Sequence, residues 1–354
     1  MPHASCDPLA RAFSRRSFLK GATTTALGAA MLPAGTLLTP VHDNAAGQTV
    51  MKMQLGWLAT NAQIGEVAAE KLGYFAEEGL ALEFMPGGPN VDGVANVYSG
   101  AANVGQLSSS PSLLLARSAG IPVKCVTVGL QQHPFAYFSL PGNPIATPQD
   151  MIGKKIGTNG TARILLRALL AANDIPEDQV EIVVSGGNMA MVLDGQVDAM
   201  SGWATNIAQL SILGEDRVTL RLWDAGVQLY ANPMYVTDDT LDKHFDQVVG
   251  FVRAAAKGWA WVHANQEEAV DMLLERFPNF DRPDELASVG PLVSYAFNDI
   301  TLANGWGHMD MDNWQGQIDA YQALGGFESE PPKVEDVVTM SVLEATAADR
   351  PKLG

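Results

Sequence analysis

Regular patterning begins near residue 51. Residues 51–56 alternate apolar and polar like a strand, and Ile64, Val67, Ala68, Leu72 and Phe75 then recur at helical spacing. Gly73 stops that helix as a C-terminal glycine does. Leu80, Leu82 and Phe84 alternate as a second strand, followed by a Gly/Pro-rich loop over 86–90. Val91, Val94, Ala95 and Tyr98 mark a helix, and 102–107 a short strand. Ser108, Ser109, Ser110 and Pro111 signal a helix start, with one serine expected as its cap. The apolar run 121–129 suits a buried parallel strand.

Residues 135–140, bounded by Pro134 and Pro141, read as an extended connector. A second series follows: helix, turn and strand over 148–157, a helical face at 164–169, and strands at 180–185, 197–203 and 218–223. Short helices fall at 189–193 and 207–213, and 233–237 reads as the return crossing. Beyond Asp238 the pattern is helical, over 245–264, 267–277 and 314–324, the last opened by an Asp312/Gln315 capping pair. Alternating strands and helices predict an α/β protein with open sheets. Two crossings, near 137 and 235, divide it into one lobe of 48–136 with 236–354 and another of 137–235, joined by a hinge.

Composition adds an export expectation. Ser14, Arg15, Arg16, Ser17, Phe18, Leu19 and Lys20 precede a weakly apolar Ala/Gly/Thr-rich run over 21–38, which reads as a twin-arginine signal occupying 1–47. Pro33 and the low hydrophobicity of that run disfavour a membrane anchor. Cleavage removes Arg11, Arg15, Arg16, Lys20, Asp7 and Asp43, which moves the net charge from −17 to −19. So acidic a molecule is a poor ligand for nucleic acid. Cys6 leaves with the signal, and Cys125, alone in an apolar run, is expected to pack. The processed protein is expected to be a monomer in the periplasm.

The stretches GWLATNAQIGEVAAEKLGYFAEEGL, YSGAANVGQLSSS, ARSAGIPVKCV and PQDMIGKKIGT resemble the NMT1/THI5-like group of solute-binding proteins, from residue 51 to about 327. The resemblance implies a two-lobed type II periplasmic binding fold, each lobe an open mixed sheet flanked by helices, with ligand in the interlobe cleft. It implies a small-molecule ligand and an inner-membrane ABC permease as partners, and no cofactor. Relatives bind thiamine pyrimidine precursors, riboflavin-like molecules, sulfonates or nitrate. The group also holds synthases that make a thiamine pyrimidine from their own histidine with iron near a cysteine-rich segment. Nothing here resembles that segment, so binding without catalysis is expected.

Open α/β sheets hold ligands beyond the carboxyl ends of their strands. In the first lobe this selects Trp57 and Asn61 after the first strand, a pair that the resemblance also places in the pocket. Gly88 and Asn90 follow the second strand, Ser108 and Ser109 the third, and Gln131 and His133 the fourth. The second lobe offers Thr158, Asn159 and Thr161 as an anion-binding turn, with Arg163 in support, then Gly187 and Asn188. Trp203 and Asn206 mirror Trp57 and Asn61, so two indoles could sandwich a planar ring. Tyr230 and Tyr235 are expected to close the pocket or pack the hinge. A heteroaromatic of pyrimidine type is the first expectation, with an organic sulfonate or other small organic anion, or a ligand-sensing module of the same fold, as the alternatives. His308, Asp310 and Asp312 are read as cap and surface charge before a metal site.

Overall fold

The computed structural model describes residues 47–88, 90–159 and 162–354. The twin-arginine motif lies outside the described residues. Among the described residues, ten strands are interspersed with helices: β1 (Thr49–Gln54), β2 (Leu80–Met85), β3 (Val104–Gln106), β4 (Val123–Leu130), β5 (Phe135–Ser139), β6 (Lys155–Thr158), β7 (Glu181–Val184), β8 (Ala199–Trp203), β9 (Val218–Arg221) and β10 (Ala231–Thr237). They form two five-stranded sheets, ordered β2-β1-β3-β10-β4 and β7-β6-β8-β5-β9. β1–β2, β1–β3, β6–β7 and β6–β8 pair in parallel, while β5 and β10 run antiparallel to their neighbours. Both sheets are therefore mixed.

Two segments expected as connectors are strands. β5 is buried throughout and fills the place between β8 and β9, because its flanking prolines bound the apolar run without interrupting it. β10 is inserted between β3 and β4 of the first sheet, with a register shift between Met234 and Tyr235 next to Pro233. The chain thus passes between sheets at 131–134 and 222–230. The return crossing precedes the expected one because residues 231–235 pair with the first sheet.

The longer helices are α1 (Ile64–Lys71), α2 (Ser110–Ser118), α3 (Arg163–Ala172), the short α4 (Ile207–Leu210), α5 (Asp238–Ala264), α6 (Gln266–Arg276), α7 (Arg282–Ala296) and α8 (Met311–Ala323). α5 is kinked at His244 and crosses α1 where Gly258 meets the Gly65 carbonyl. A Cβ on Gly258 would collide with that backbone, so the crossing requires glycine. α8 is capped by Asp310, whose side chain accepts from the Asp312 N–H, so the helix begins before the expected Asp312. α7 was not expected at all. Its Asp281 cap and Pro283 form a proper start, but Gly290 and Pro291 break its apolar period. The helical tail shares one apolar core with the first sheet, while the second sheet carries a smaller core on each face. Among the described residues, no helix is long and apolar enough to cross a membrane.

Candidate ligand-binding cleft

The parallel strands of each sheet end in loops, and the structure joins some of those loops across the lobes. Trp203, at the end of β8, packs against the cores of both lobes. The His133 ring meets it edge-on at 5.3 Å. Arg221, at the end of β9, donates to Gln132 Oε1 at 2.6 Å and lies 5.0 Å from the Tyr295 ring of α7. α7 itself packs against both the 61–63 turn behind β1 and α4 behind β8.

In the first lobe Trp57 is 46% exposed on the loop after β1. Asn61 is half-buried and opens a 3-10 turn locked by Thr60, whose N–H donates to Gln63 Oε1 at 2.9 Å while its Oγ1 accepts from Ala62 at 3.2 Å. Gly88 is buried with φ 152°, a conformation that suits glycine, and Asn90 is exposed. Ser108 is half-buried, and the Ser109 Oγ is buried without a partner. None of the three serines caps α2 by its side chain as expected: Ser110 instead turns to Tyr230 O and Gln317 Oε1.

Three expected ligand residues are committed to packing. Gln131 donates to His308 O at 2.9 Å, and its own N–H donates to Tyr295 O at 2.7 Å. Tyr230 accepts from the Asp310 N–H at 2.9 Å and lies against Trp314. Tyr235 is fully buried against Gly105. Tyr230 and Tyr235 are anchored because β10 lies inside the first sheet, where the sequence pattern placed a hinge, whereas Gln131 is held by α7 and the 308 segment.

His133 is different. It is 1% exposed, and burial drives its pKa down to about 3, so the ring is neutral at physiological pH. Its Nδ1 accepts from the Phe135 N–H at 3.2 Å, which assigns the proton to Nε2. That Nε2 is buried and makes no well-formed hydrogen bond, with the Ser108 backbone facing the ring and opposing part of the fall in its pKa. Gln106, at the end of β3, repeats the situation: Oε1 accepts from Gln63 Nε2 at 2.8 Å, while its own Nε2 is buried and unpaired. Unmet buried donors are costly, and a bound acceptor would relieve that cost. Segments 106–109 and 131–133 are close because β10 bonds β3 on one side and β4 on the other. Sequence reading missed Gln106; its signal was a polar residue at the carboxyl end of an apolar strand.

In the second lobe Thr158 is buried and accepts from Ser201 Oγ at 3.2 Å. Asn159 Oδ1 accepts from the Ala162 N–H at 2.7 Å, and Thr161 lies outside the described residues. Arg163 does not stand ready for an anion: it donates to Glu177 at 2.7 Å, and Arg167 pairs with the same carboxylate at 3.1 Å. Gly187 has φ 81° and its carbonyl accepts from Gln209 at 2.6 Å. Asn188 is exposed and accepts from Ala190 N–H at 3.0 Å; Asn206, also exposed, caps α4 through Gln209 N–H at 3.2 Å. Among the described residues, no three His, Cys, Asp or Glu side chains are grouped to hold a metal ion.

Comparison with known proteins gives the following. Residues 61–269 match the family model described as NMT1/THI5 like. The riboflavin-binding protein RibY of Chloroflexus aurantiacus is 29% identical, over 77% of this chain and 80% of its own. The formylaminopyrimidine-binding protein of Halalkalibacterium halodurans is 27% identical, over 83% and 90%. A 4-amino-5-hydroxymethyl-2-methylpyrimidine phosphate synthase of Legionella pneumophila is 23% identical, over 65% and 74%. Among solved structures, the periplasmic aliphatic sulphonate binding protein of Escherichia coli superposes with a TM-score of 0.64 at 15% identity, over 83% of this chain and 99% of its own. That likeness is one of fold.

Proposed function

We infer, for a chain that belongs to the NMT1/THI5-like family, that it is the periplasmic solute-binding component of an ABC importer and binds a small heteroaromatic molecule. The observation that carries this reading is the contact between His133 and Trp203, which sets a neutral imidazole N–H donor beside an indole from the opposite lobe. A planar heterocycle with ring nitrogens or carbonyls matches both groups: its face suits the indole and its edge accepts from His133 and Gln106. The relatives named for riboflavin and formylaminopyrimidine support the same chemistry. The lobes close about the 131–134 and 222–230 crossings, and the ligand is released unchanged to an inner-membrane permease. Export follows the twin-arginine signal, and the protein acts as a monomer. Cys125, the thiol left after processing, is buried and burial pushes its pKa up, so it offers no reactive thiolate.

An organic sulfonate is the second reading, favoured by the fold neighbour that binds one. The Arg163–Glu177 pair argues against it, because the cation nearest the expected anion turn is already engaged. Thermal unfolding across pyrimidines, flavins and alkanesulfonates separates the two, since a ligand held at 100 times its Kd stabilises by about 2.7 kcal/mol. Shifts with heteroaromatics alone are expected, and shifts with sulfonates alone would overturn the reading. Mass spectrometry of ligand recovered after incubation is expected to find it intact.

A further inference from the structure

We propose that Glu285 is a specificity determinant whose carboxylate accepts a hydrogen bond from an N–H of the bound heterocycle and turns oxyanions away. The inference rests on the cleft being a heteroaromatic-binding site.

Glu285 lies near the start of α7, the helix that packs against the 61–63 turn of one lobe and α4 of the other. Its side chain faces Asn61, the residue that opens the turn behind β1. The carboxyl is half-buried, and Oε2 is buried with no partner. Burial raises its pKa, the Asn61 amide opposes that rise, and Asp284 and Asp281 add to it. The adjacent cation does not neutralise it: Arg282 is drawn to Asp271 at 2.7 Å and Glu267 at 3.0 Å. A carboxylate is therefore held beside the 61–63 turn, with the Asn61 amide as its one neighbouring donor and Oε2 left free to accept another hydrogen bond.

The floor has the opposite polarity. Gln106, 4% exposed, presents an unpaired N–H, and His133, 1% exposed, an N–H with no better partner than the Ser108 backbone. A ligand complementary to both ends carries acceptors on one edge and an N–H donor on another, as an aminopyrimidine or the lactam of a flavin does. A sulfonate offers three acceptor oxygens and a negative charge. The floor would satisfy it, but the Glu285 carboxylate would repel it.

The test is calorimetric titration of wild type, Glu285→Gln and Glu285→Leu with three probes: 4-amino-2-methylpyrimidine, 2,4-dimethylpyrimidine, which lacks the N–H, and propane-1-sulfonate. The aminopyrimidine is expected to bind about 10-fold more weakly to Glu285→Gln and weaker still to Glu285→Leu. The dimethyl probe is expected to change less than about threefold, and the sulfonate to gain affinity in both variants. Equal losses for the two pyrimidines, or no loss for either, would overturn the selection by Glu285 while leaving the heteroaromatic site standing. Wild-type binding of the sulfonate alone would overturn both. Unliganded melting temperatures of the variants separate a folding defect from lost selectivity.

Discussion

Glu66 sits in the first turn of α1, with one oxygen accepting from the Trp259 indole N–H at 3.1 Å and the other unpaired. Burial pushes its pKa to about 7, against 4.5 in an unfolded chain. Below 4.5 the carboxyl is protonated in both states and costs nothing by linkage. Between 4.5 and 7 the unfolded chain releases the proton while the folded one keeps it, so stability falls as pH rises, and above 7 the penalty is complete. Glu66→Gln should therefore raise the melting temperature at pH 8 and change it little at pH 4, as measured by calorimetry. His133 has the reverse sign: its contribution is full above 6.5 and is lost as pH falls towards 3. Arg163 tests the electrostatics of the second lobe. Its pair with Glu177 is more than a third exposed on both sides, so Arg163→Gln should cost at most about 1 kcal/mol of stability. Heteroaromatic affinity should stay within about threefold, and a loss of about 10-fold or more in the titration would restore an anion-binding role.

At the scale of elements, the strand pattern was legible wherever one chemistry held a whole run. β4 is buried at every position but Lys124, as a continuous apolar stretch implies. β5 and β10 are buried throughout, but the prolines flanking β5 and Pro233 within β10 made them read as linkers. What decided their place was pairing with distant strands, which local pattern does not encode. α7 escaped because Gly290 and Pro291 obscure its apolar face, although the Asp281–Pro283 start was visible. Glu285 was hidden with it. His133, Trp203 and Asn61 could be placed behind strand ends from the sequence, whereas the anchoring of Tyr230 and Tyr235 depended on where β10 inserts and that of Gln131 on α7. The α1–α5 crossing offers a direct check on packing. Gly258→Val drives a side chain into the Gly65 carbonyl and Ala69, so unfolding in denaturant should show a loss of about 3 kcal/mol. A loss below about 0.5 kcal/mol would mean that the helices sit further apart.

The whole molecule combines an acidic surface with a cleft whose inner polar groups are neutral donors. Net charge keeps such a protein soluble and away from anionic partners, and it leaves recognition to a few buried groups. His133, at the outgoing crossing, meets Trp203, at the end of β8 in the other sheet, so a ligand bound at this contact links affinity to lobe closure. A solute that binds beside this contact stabilises the closed form by its differential affinity for it. The measurement that bears most directly on this is calorimetric titration of the best heteroaromatic ligand into wild type and Trp203→Ala, with unliganded melting temperatures compared. The account predicts affinity about 10- to 100-fold weaker in the variant, as for loss of a buried tryptophan contact. Unchanged affinity in a folded Trp203→Ala protein would contradict it.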